Sequence, residues 1–444
     1  MGASFQSGWL LPLSYVGLAI TAALIEQRYA KFLPAIIAGF IFQLLGVEWT
    51  LETYGTLQNT MQRTTNWLLV GLLFAGFMPI VVKVGVLLRD RGWPLWLSLP
   101  VAWTIGDFAR YESGWLISGS PYPWLTLGLT QTGLTVPCQV ADLGGVWAVG
   151  FIAAMFSATI AQSIIQRRAL IVPILLLVTA LIYGQWRISS ATFSDGPTIA
   201  LMPGYSLQVP AVDCAVWPES SFDHYETAPT SALLIQGFHR HDNEKSFNSL
   251  AVLKEGELLG CYDKYNLVPW SEFQPWGGPG RQLTAGKRLG IFECRGYRMG
   301  TAICYDVCFT DFVRHLSTTQ FVVIAANESG DPSMMLAHQL LAATRLRAIE
   351  IRRAIVRNAN GGFSGIVDGN GRLVAAPQDF REPIIMGCVP IDDRFSIYAS
   401  CGAWLPIGCF LALVVTVARS SRLQAVPNIR RDAIENETDR PIAH

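Results

Sequence analysis

Long apolar runs separated by short charged segments fill the first 190 residues, and one more apolar run lies near the C-terminus. A helix that crosses a bilayer needs about 20 mostly apolar residues. The pattern predicts spanning helices near 9–25, 31–47, 66–88, 93–108, 141–165, 169–186 and 402–418. The first run has no positive charge before it and no small-residue cleavage pattern after it. We therefore expect a membrane anchor there rather than a cleaved signal peptide.

From residue 195 the pattern changes to short runs rich in β-branched and aromatic residues. These runs predict strands at 198–202, 214–217, 232–237, 249–254, 258–264, 298–303, 321–325, 354–358, 365–367 and 384–389. A helical stretch, 333–353, interrupts them, and Arg347 and Glu350, three residues apart on it, are expected to form a surface pair. Strands mixed with helices are typical of an α/β layered fold. The pattern thus predicts an α-helical membrane bundle at 1–190, an α/β domain at 195–396, a last span at 397–420 and a disordered tail at 421–444.

Lysine and arginine are unevenly distributed between the loops on the two sides of the predicted bundle. By the positive-inside rule, the basic side faces the cytoplasm. The basic set is Arg28, Lys31, Arg89, Arg91, Arg167, Arg168, Arg419, Arg422, Arg430 and Arg431, against only Arg63 and Arg110 on the other side. With six spans before it, the α/β domain is expected on the outer side of the membrane, and the tail in the cytoplasm.

Composition supports a membrane protein and excludes other classes. Hydrophobic residues make up 51% of the chain and charged residues 15%, whereas a soluble domain averages about 25% charged. The formal net charge is zero, which argues against direct binding of nucleic acid. The nine cysteines and six histidines show no spacing typical of a metal site. We therefore expect no metal.

An aromatic, glycine-rich segment at 111–124 follows the fourth predicted span on the outer side. Tryptophan and tyrosine collect at membrane interfaces in any case. The segment is therefore either an interfacial belt or a loop that presents lipid to the outer domain.

Three reactive side chains come at or just after the ends of predicted strands. Cys304 directly follows the strand at 298–303, Glu219 comes shortly after the strand at 214–217, and Lys264 is the last residue of the strand at 258–264. If they met at one sheet edge, they would supply a nucleophile, a base and a cation for a developing oxyanion. Each alone has an ordinary explanation: a cysteine is often buried in the core, and a lone glutamate or lysine at a strand end is usually solvated.

The motifs around these residues resemble the nitrilase (carbon–nitrogen hydrolase) superfamily, and most closely its membrane-embedded apolipoprotein N-acyltransferases. Glu219 in WPES, Lys264 in YDKYNLVPWSEF and Cys304 in AICYD follow the family's Glu-Lys-Cys order. The likeness extends to SGSPYPWLTLGLTQTG, DLGGVWAVGF and RLRAIEIRRAIVRNANGGFSGIVDGNGRL. It covers most of the chain.

The resemblance implies an αββα sandwich on a bundle of membrane helices, and acyl transfer without a cofactor. Glu219 is expected to deprotonate Cys304, which takes an acyl chain from a membrane phospholipid. Lys264 is expected to hold the oxyanion. The thioester then passes its acyl group to an amine, which in the family belongs to a lipoprotein.

The resemblance also assigns supporting residues. Glu272 in PWSEF is expected to support the lysine. Tyr305 and Asp306 match the aromatic–acid pair after the nucleophile, although Asp306 stands where the family usually has glutamate.

Departures from the family pattern leave the substrate open. An Asn-Asp-Ala-Trp-Phe run that usually forms an aromatic lid reads Asn327-Glu328-Ser329-Gly330-Asp331 here. Two connections near 203–213 and 220–231 are too short for the helices that usually fill them. Shortened relatives occur in the conjugal-transfer TraB group, so one alternative is a conjugation-apparatus component with an undetermined substrate or a scaffold role. Another is a membrane-anchored amidase that uses water in place of the amine.

Overall fold

The computed structural model describes residues 11–53, 60–165, 170–277, 282–376 and 384–424. The expected disordered tail lies outside the described residues, except for 421–424, which extend the last helix. A helical region comes first, and an α/β region with two sheets follows it.

Helices occur at every position where an apolar run predicts one. Those before the sheets are α1 Leu11–Glu26, α2 Phe32–Gly46, α3 Thr50–Thr53, α4 Thr60–Phe74, α5 Phe77–Asp90, α6 Leu95–Ser118, α7 Thr135–Cys138, α8 Ala141–Ile165 and α9 Ile171–Ser189. Within and after the sheets come α10 Thr310–His315, α11 Met335–Ile351, α12 Ile397–Cys401 and α13 Trp404–Gln424.

In the part of the chain that the structure describes, three helical stretches are long and apolar enough to cross a membrane: Thr60–Asp90, Ala141–Ile164 and Ile171–Ser189. α1, α2 and the first part of α13 are apolar but shorter. The helix predicted at 93–108 continues to Ser118, because the polar residues that ended the apolar run are accommodated in it. Asp107 and Arg110 are buried and pair at 2.6 Å, so neither charge stays uncompensated.

The α/β region contains two six-stranded sheets. The first has the order β12-β1-β2-β3-β4-β5 and the second β11-β10-β9-β8-β7-β6. The strands are β1 Ser194–Leu201, β2 Cys214–Val216, β3 Leu233–Asp242, β4 Lys245–Lys254, β5 Glu257–Asp263, β6 Gly290–Cys294, β7 Tyr297–Ile303, β8 Phe321–Asn327, β9 Ala354–Asn360, β10 Gly365–Val367, β11 Leu373–Ala375 and β12 Ile385–Ile391. All ten predicted strands are present. β6 and β11 are additional, and both are short strands at the edges of the second sheet, where the apolar signal is weak.

One helical layer of the implied αββα sandwich is absent from the described residues. α11 packs against β9 and β10 on one side and α8 on the other. Outside the first sheet, none of the described residues between 202 and 303 is helical. Loops close this face instead. Trp217, Leu234 and Phe238 are buried there, with Leu207 and Val209 packed against them. The two-sheet core is as expected, and the shortened connections account for the missing layer.

The two regions meet where α8 is interrupted. Gly144 and Gly145 leave the helical conformation, and a Cβ at Gly145 (φ +68°) would lie 2.5 Å from the Tyr398 ring. The break exposes the amide of Val146, which donates to Glu350 of α11 at 2.6 Å. A carboxylate at a helix N-terminus is a favourable placement.

The pair formed by Arg347 and Glu350 corrects a sequence-based expectation. Their spacing on α11 suggested a surface pair. Both side chains are instead buried, with 2.7 Å between them. Burial raises the pKa of Glu350 to about 7, although Arg347 opposes the shift. The pair lies at the junction between α11 and α8.

Candidate active site

Cys304 occupies a sharp turn at the end of β7. Its φ is +45°, a left-handed conformation that is uncommon for a residue with a Cβ. Such strain is often found at functional positions. The preceding strand is fully buried at its end, and Cys304–Cys308 form a 3₁₀ turn. The chain thus presents the sulfur where strand gives way to turn, and the side chain is mostly buried.

Asp306 fixes this turn. Its carboxylate accepts hydrogen bonds from the amide of Ile303 at 3.0 Å, the amide of Asn266 at 2.7 Å and the hydroxyl of Tyr262 at 2.7 Å. Burial raises the pKa of Asp306, while these hydrogen bonds act in the opposite direction. The residue therefore ties the nucleophile turn to the segment that follows β5.

Lys264 lies between two carboxylates. Its Nζ is 3.2 Å from Oε1 of Glu219 and 3.0 Å from Oε1 of Glu272. Burial alone would lower the pKa of Lys264, but Glu219 and Glu272 together raise it above its ordinary value. Burial opposes ionisation of Glu272 as well, yet Lys264 and hydrogen bonds, including one from the Val268 amide at 2.8 Å, hold its pKa below the usual range. The cluster keeps a permanent cation in a buried site.

Asn248 joins the same cluster and was not predicted. Its Nδ2 donates to Glu219 at 2.6 Å and to Glu272 at 3.0 Å. It lies with Ser249 just before the apolar run of β4, and it is almost fully buried. A buried polar side chain requires partners, so an inward-facing asparagine in an apolar strand was the available signal.

Negatively and positively charged side chains both act on the thiol of Cys304. Burial raises the pKa of its thiol and Glu219 raises it further, whereas Lys264, Arg357 and the backbone amide of Asn327 lower it. The net shift of the thiol pKa is upward, which favours the protonated form of the sulfur. The Asn327 amide also donates to Glu219 at 2.9 Å. Because the same amide acts on the thiol, the Glu219 carboxylate lies close to the Cys304 sulfur.

A cavity of about 300 Å³ brings these groups together. Its lining comes from both regions of the protein: Trp49, Trp124, Glu219, Ser220, Asn248, Lys264, Val268, Ser271, Glu272, Cys304, Tyr305, Asn327, Glu328, Ser329, Gly330, Leu336 and Leu340. All three predicted reactive side chains and two of the three supporting ones line it; Asp306 acts from behind the turn.

The helical region contributes an aromatic wall. Trp124 stacks on Tyr305, with ring centroids 5.5 Å apart, and Trp49 packs edge-on against Trp124 at 4.9 Å. The first part of the segment 111–124 completes α6, and its last part reaches the α/β region, where Trp124 contacts Tyr305. Gln339 of α11 also reaches the carbonyl of Gly46 in α2 at 2.7 Å.

The segment that replaces the expected aromatic lid has structural partners of its own. Asp331 accepts the amides of Ser333 at 3.0 Å and Leu336 at 2.7 Å, so it organises the start of α11. Glu328 pairs with buried Arg357. Small side chains, rather than a tryptophan, therefore border this side of the cavity.

Trp270 and Trp276, which flank Glu272, pack against each other with ring centroids 5.6 Å apart. The indole of Trp276 donates to the carbonyl of Ile117 in α6 at 2.9 Å, while much of its ring remains exposed. The loop that carries Glu272 is thus attached to the C-terminal end of α6.

Two family models match the two regions. A model of the apolipoprotein N-acyltransferase N-terminal domain matches residues 1–159, and a carbon–nitrogen hydrolase model matches residues 226–394. The chain is a protein of the carbon–nitrogen hydrolase, or nitrilase, superfamily. Within that superfamily it is apolipoprotein N-acyltransferase-like.

Curated relatives cover nearly the whole chain. The apolipoprotein N-acyltransferase of Vibrio cholerae is 26% identical over 85% of this chain and 86% of its own. That of Geobacter metallireducens is 23% identical over 95% and 94%, and that of Methylococcus capsulatus 25% over 94% and 96%.

Two similar solved structures each cover less than half of this chain. A carbon–nitrogen hydrolase superfamily protein from Xanthomonas campestris is 18% identical, covers 44% of this chain and 91% of its own, and has a TM-score of 0.36. A nitrilase superfamily member from Saccharomyces cerevisiae is also 18% identical, covers 46% and 94%, and has the same TM-score.

Proposed function

We propose that this protein is a membrane-bound N-acyltransferase that moves a fatty acyl chain from a phospholipid, through a thioester on Cys304, to an amine. The observation that carries the proposal is the cavity in which Cys304 lies with Lys264 and its two carboxylates. Its aromatic wall, Trp49 and Trp124, comes from the region of apolar helices, which is where an acyl donor would arrive.

In the first half-reaction, Glu219 accepts the proton of the Cys304 thiol as the sulfur attacks an ester carbonyl of the donor. The tetrahedral oxyanion that forms needs a nearby positive charge, and the Lys264 ammonium supplies it. The ester C–O bond breaks, the lysophospholipid oxygen takes up the proton, and the acyl group stays on sulfur.

In the second half-reaction, an amine attacks the thioester carbonyl. Glu219 takes a proton from the amine, the C–S bond breaks, and the thiol is restored. Glu272 and Asn248 keep Lys264 and Glu219 in place without touching the reacting atoms. The names of the relatives point to a lipoprotein as the amine acceptor.

We further propose that the protein crosses the bacterial cytoplasmic membrane several times, with the α/β domain on the outer, periplasmic face. The distribution of lysine and arginine supports this orientation, and the three long apolar helical stretches support the crossing. We assign 1–190 to the membrane bundle, 195–396 to the catalytic domain and 397–420 to the last span.

The central test is acyl-enzyme formation. The purified protein is incubated with a phospholipid that carries a labelled acyl chain, and we expect hydroxylamine-sensitive label on the wild type and none on Cys304→Ala. Cys308→Ala is the matched control, because Cys308 is equally buried four residues away. If no phospholipid leaves label on the wild type, the acyltransferase proposal is wrong.

A second step separates transferase from hydrolase. The labelled enzyme is given either buffer or a diacylglyceryl-cysteine peptide with a free amino group. We expect the label to leave as an amide with the peptide and slowly as a free fatty acid in buffer. Equal rates of release would favour the amidase alternative.

A role in conjugal transfer stays a separate prediction, which plasmid transfer with Cys304→Ala would test.

A further inference from the structure

The turn between β6 and β7 in the second sheet reaches across to the first sheet. The hydroxyl of Tyr297 donates to the carbonyl of Asp195 in β1 at 3.3 Å. The guanidinium of Arg295 lies 2.9 Å from the carboxylate of Asp213, just before β2. The start of β2 and the end of β6 are therefore held against each other at one end of the sandwich.

Two cysteines meet at this place. Cys214 and Cys294 are buried in the core between the sheets, on the two strands that the contacts of Tyr297 and Arg295 hold against each other. The Cys294 sulfur is also 3.9 Å from the carbonyl of Asp213. Neither residue lines the candidate active site, and the proposed acyl transfer does not use them.

We propose that Cys214 and Cys294 form a disulfide that joins the two sheets when the domain folds in an oxidising compartment. Two observations carry the proposal: both cysteines are buried in one core cluster, and the Cys294 sulfur lies 3.9 Å from the carbonyl of Asp213, the residue before Cys214. It rests on the outward orientation proposed above, because disulfides persist outside the cytoplasm and are rare within it.

The reaction is thiol–disulfide exchange with an external disulfide, either of a protein oxidase or of oxidised glutathione. The Cys294 thiolate attacks one sulfur of the oxidant and forms a mixed disulfide, releasing one thiol. Cys214 then loses its proton and displaces the second thiol. Two thiols are oxidised to one disulfide, and one disulfide is reduced to two thiols.

The two cysteines differ in how easily each thiol ionises to the thiolate that attacks the oxidant. The hydrogen bond from Cys214 lowers the pKa of the Cys294 thiol, and Lys254 and Arg295 act in the same direction. Burial raises the pKa of Cys214. Cys294 is thus the better first nucleophile. Because both sulfurs are enclosed in the native fold, we expect exchange to occur before the sheets close completely.

The link would strengthen a sandwich in which the described residues form no helical layer outside the first sheet. A disulfide here closes a loop of about 80 residues and constrains the unfolded chain. It would connect the second sheet, which α11 covers, to the first sheet, whose outer face is covered by loops.

The test uses the full-length protein taken from native membranes. Free thiols are blocked with N-ethylmaleimide, the protein is digested without reductant, and peptides are identified by mass spectrometry. We expect a cross-linked peptide pair containing Cys214 and Cys294, with Cys261 carrying maleimide. In a parallel arm, reduced purified protein is unfolded and refolded in detergent with a glutathione redox buffer, and the same pair should form.

A stability measurement accompanies it. Reductant should lower the melting temperature of the wild type by roughly 5–15 °C, and should not change that of Cys214→Ser/Cys294→Ser. Acyl labelling of Cys304 in the double variant checks that its fold is intact. Free thiols in both arms would overturn the proposed pairing. A disulfide formed in vitro but not in native membranes would uphold the pairing and overturn the outward orientation, while leaving the acyl-transfer chemistry to its own test.

Discussion

Trp124 and Tyr305 stack with ring centroids 5.5 Å apart and ring planes 25° apart. One belongs to the segment that follows α6, and the other comes directly after Cys304. The contact couples the helical region to the turn that holds Cys304, so the position of the Cys304 sulfur depends on how the two regions dock. A soluble nitrilase-like domain alone would lack this support.

Replacing Trp124 should therefore impair the reaction with lipid more than the chemistry of the thiol. An aromatic pair contributes about 0.5–1.5 kcal/mol beyond its buried area. We expect Trp124→Ala to slow acyl-enzyme formation from phospholipid by up to about tenfold, and Trp124→Phe to restore most of the rate. The rates are measured by labelling. Alkylation of Cys304 by iodoacetamide, a small reagent, should change little, and an equal loss in both assays would contradict the assigned role.

Glu219 should have opposite effects on the two reactions of Cys304. Its charge raises the pKa of the thiol, so Glu219→Gln should lower that pKa and speed alkylation by iodoacetamide at neutral pH. The same substitution removes the proposed base and should reduce acyl transfer by about 10²–10⁴-fold. Cys304→Ala supplies the background from other cysteines. Parallel losses in alkylation and transfer would show that the substitution only disturbs the fold.

The pH dependence of alkylation follows from the same electrostatics. Because the thiol pKa lies above its ordinary value, the thiolate fraction should increase about tenfold for each pH unit across the neutral range. We expect the alkylation rate of wild-type Cys304 to rise in this way with no plateau below about pH 9. A plateau near neutral pH would mean that the resting enzyme holds a thiolate, and Glu219 would not be needed as a base for the first step.

The sequence indicated the candidate reactive residues more fully than it indicated the structure that surrounds them. Glu219, Lys264 and Cys304 could be predicted because each lies at or just beyond a strand end and their order matches a known family. The missing helical layer outside the first sheet could be suspected from short connections, but hydrophobic periodicity does not reveal what covers an apolar face. The burial of Arg347 and Glu350 could not be predicted, because i,i+3 spacing is the same for an exposed and a buried pair.

Asn248 shows what a closer reading of the strands could have found. It donates to both Glu219 and Glu272, so Asn248→Ala leaves two buried carboxylates short of a donor. We expect the free energy of unfolding to fall by about 1–3 kcal/mol and kcat to fall more than KM rises, because the base is no longer held. Ser249→Ala is the neighbouring control; its hydroxyl bonds Asp263 at 2.6 Å outside the catalytic cluster. An unchanged kcat for Asn248→Ala would remove it from the positioning residues.

The buried pair at the junction can be compared with an exposed pair of the same spacing. Arg347 and Glu350 are almost completely buried, whereas Asp311, which pairs with Arg314 at the same separation, is 66% exposed in its side chain. Removing one member of a buried pair typically costs about 3–5 kcal/mol, and an exposed pair contributes about 0–1 kcal/mol. Glu350→Gln should therefore lower the melting temperature clearly, and Asp311→Asn should hardly change it.

The same variant should also open the junction between the two regions. Glu350 accepts the Val146 amide at the break in α8, so Glu350→Gln should expose the junction to limited proteolysis near residue 145. Equal melting temperatures for the two variants would mean that docking of the α/β region onto α8 does not depend on this ion pair.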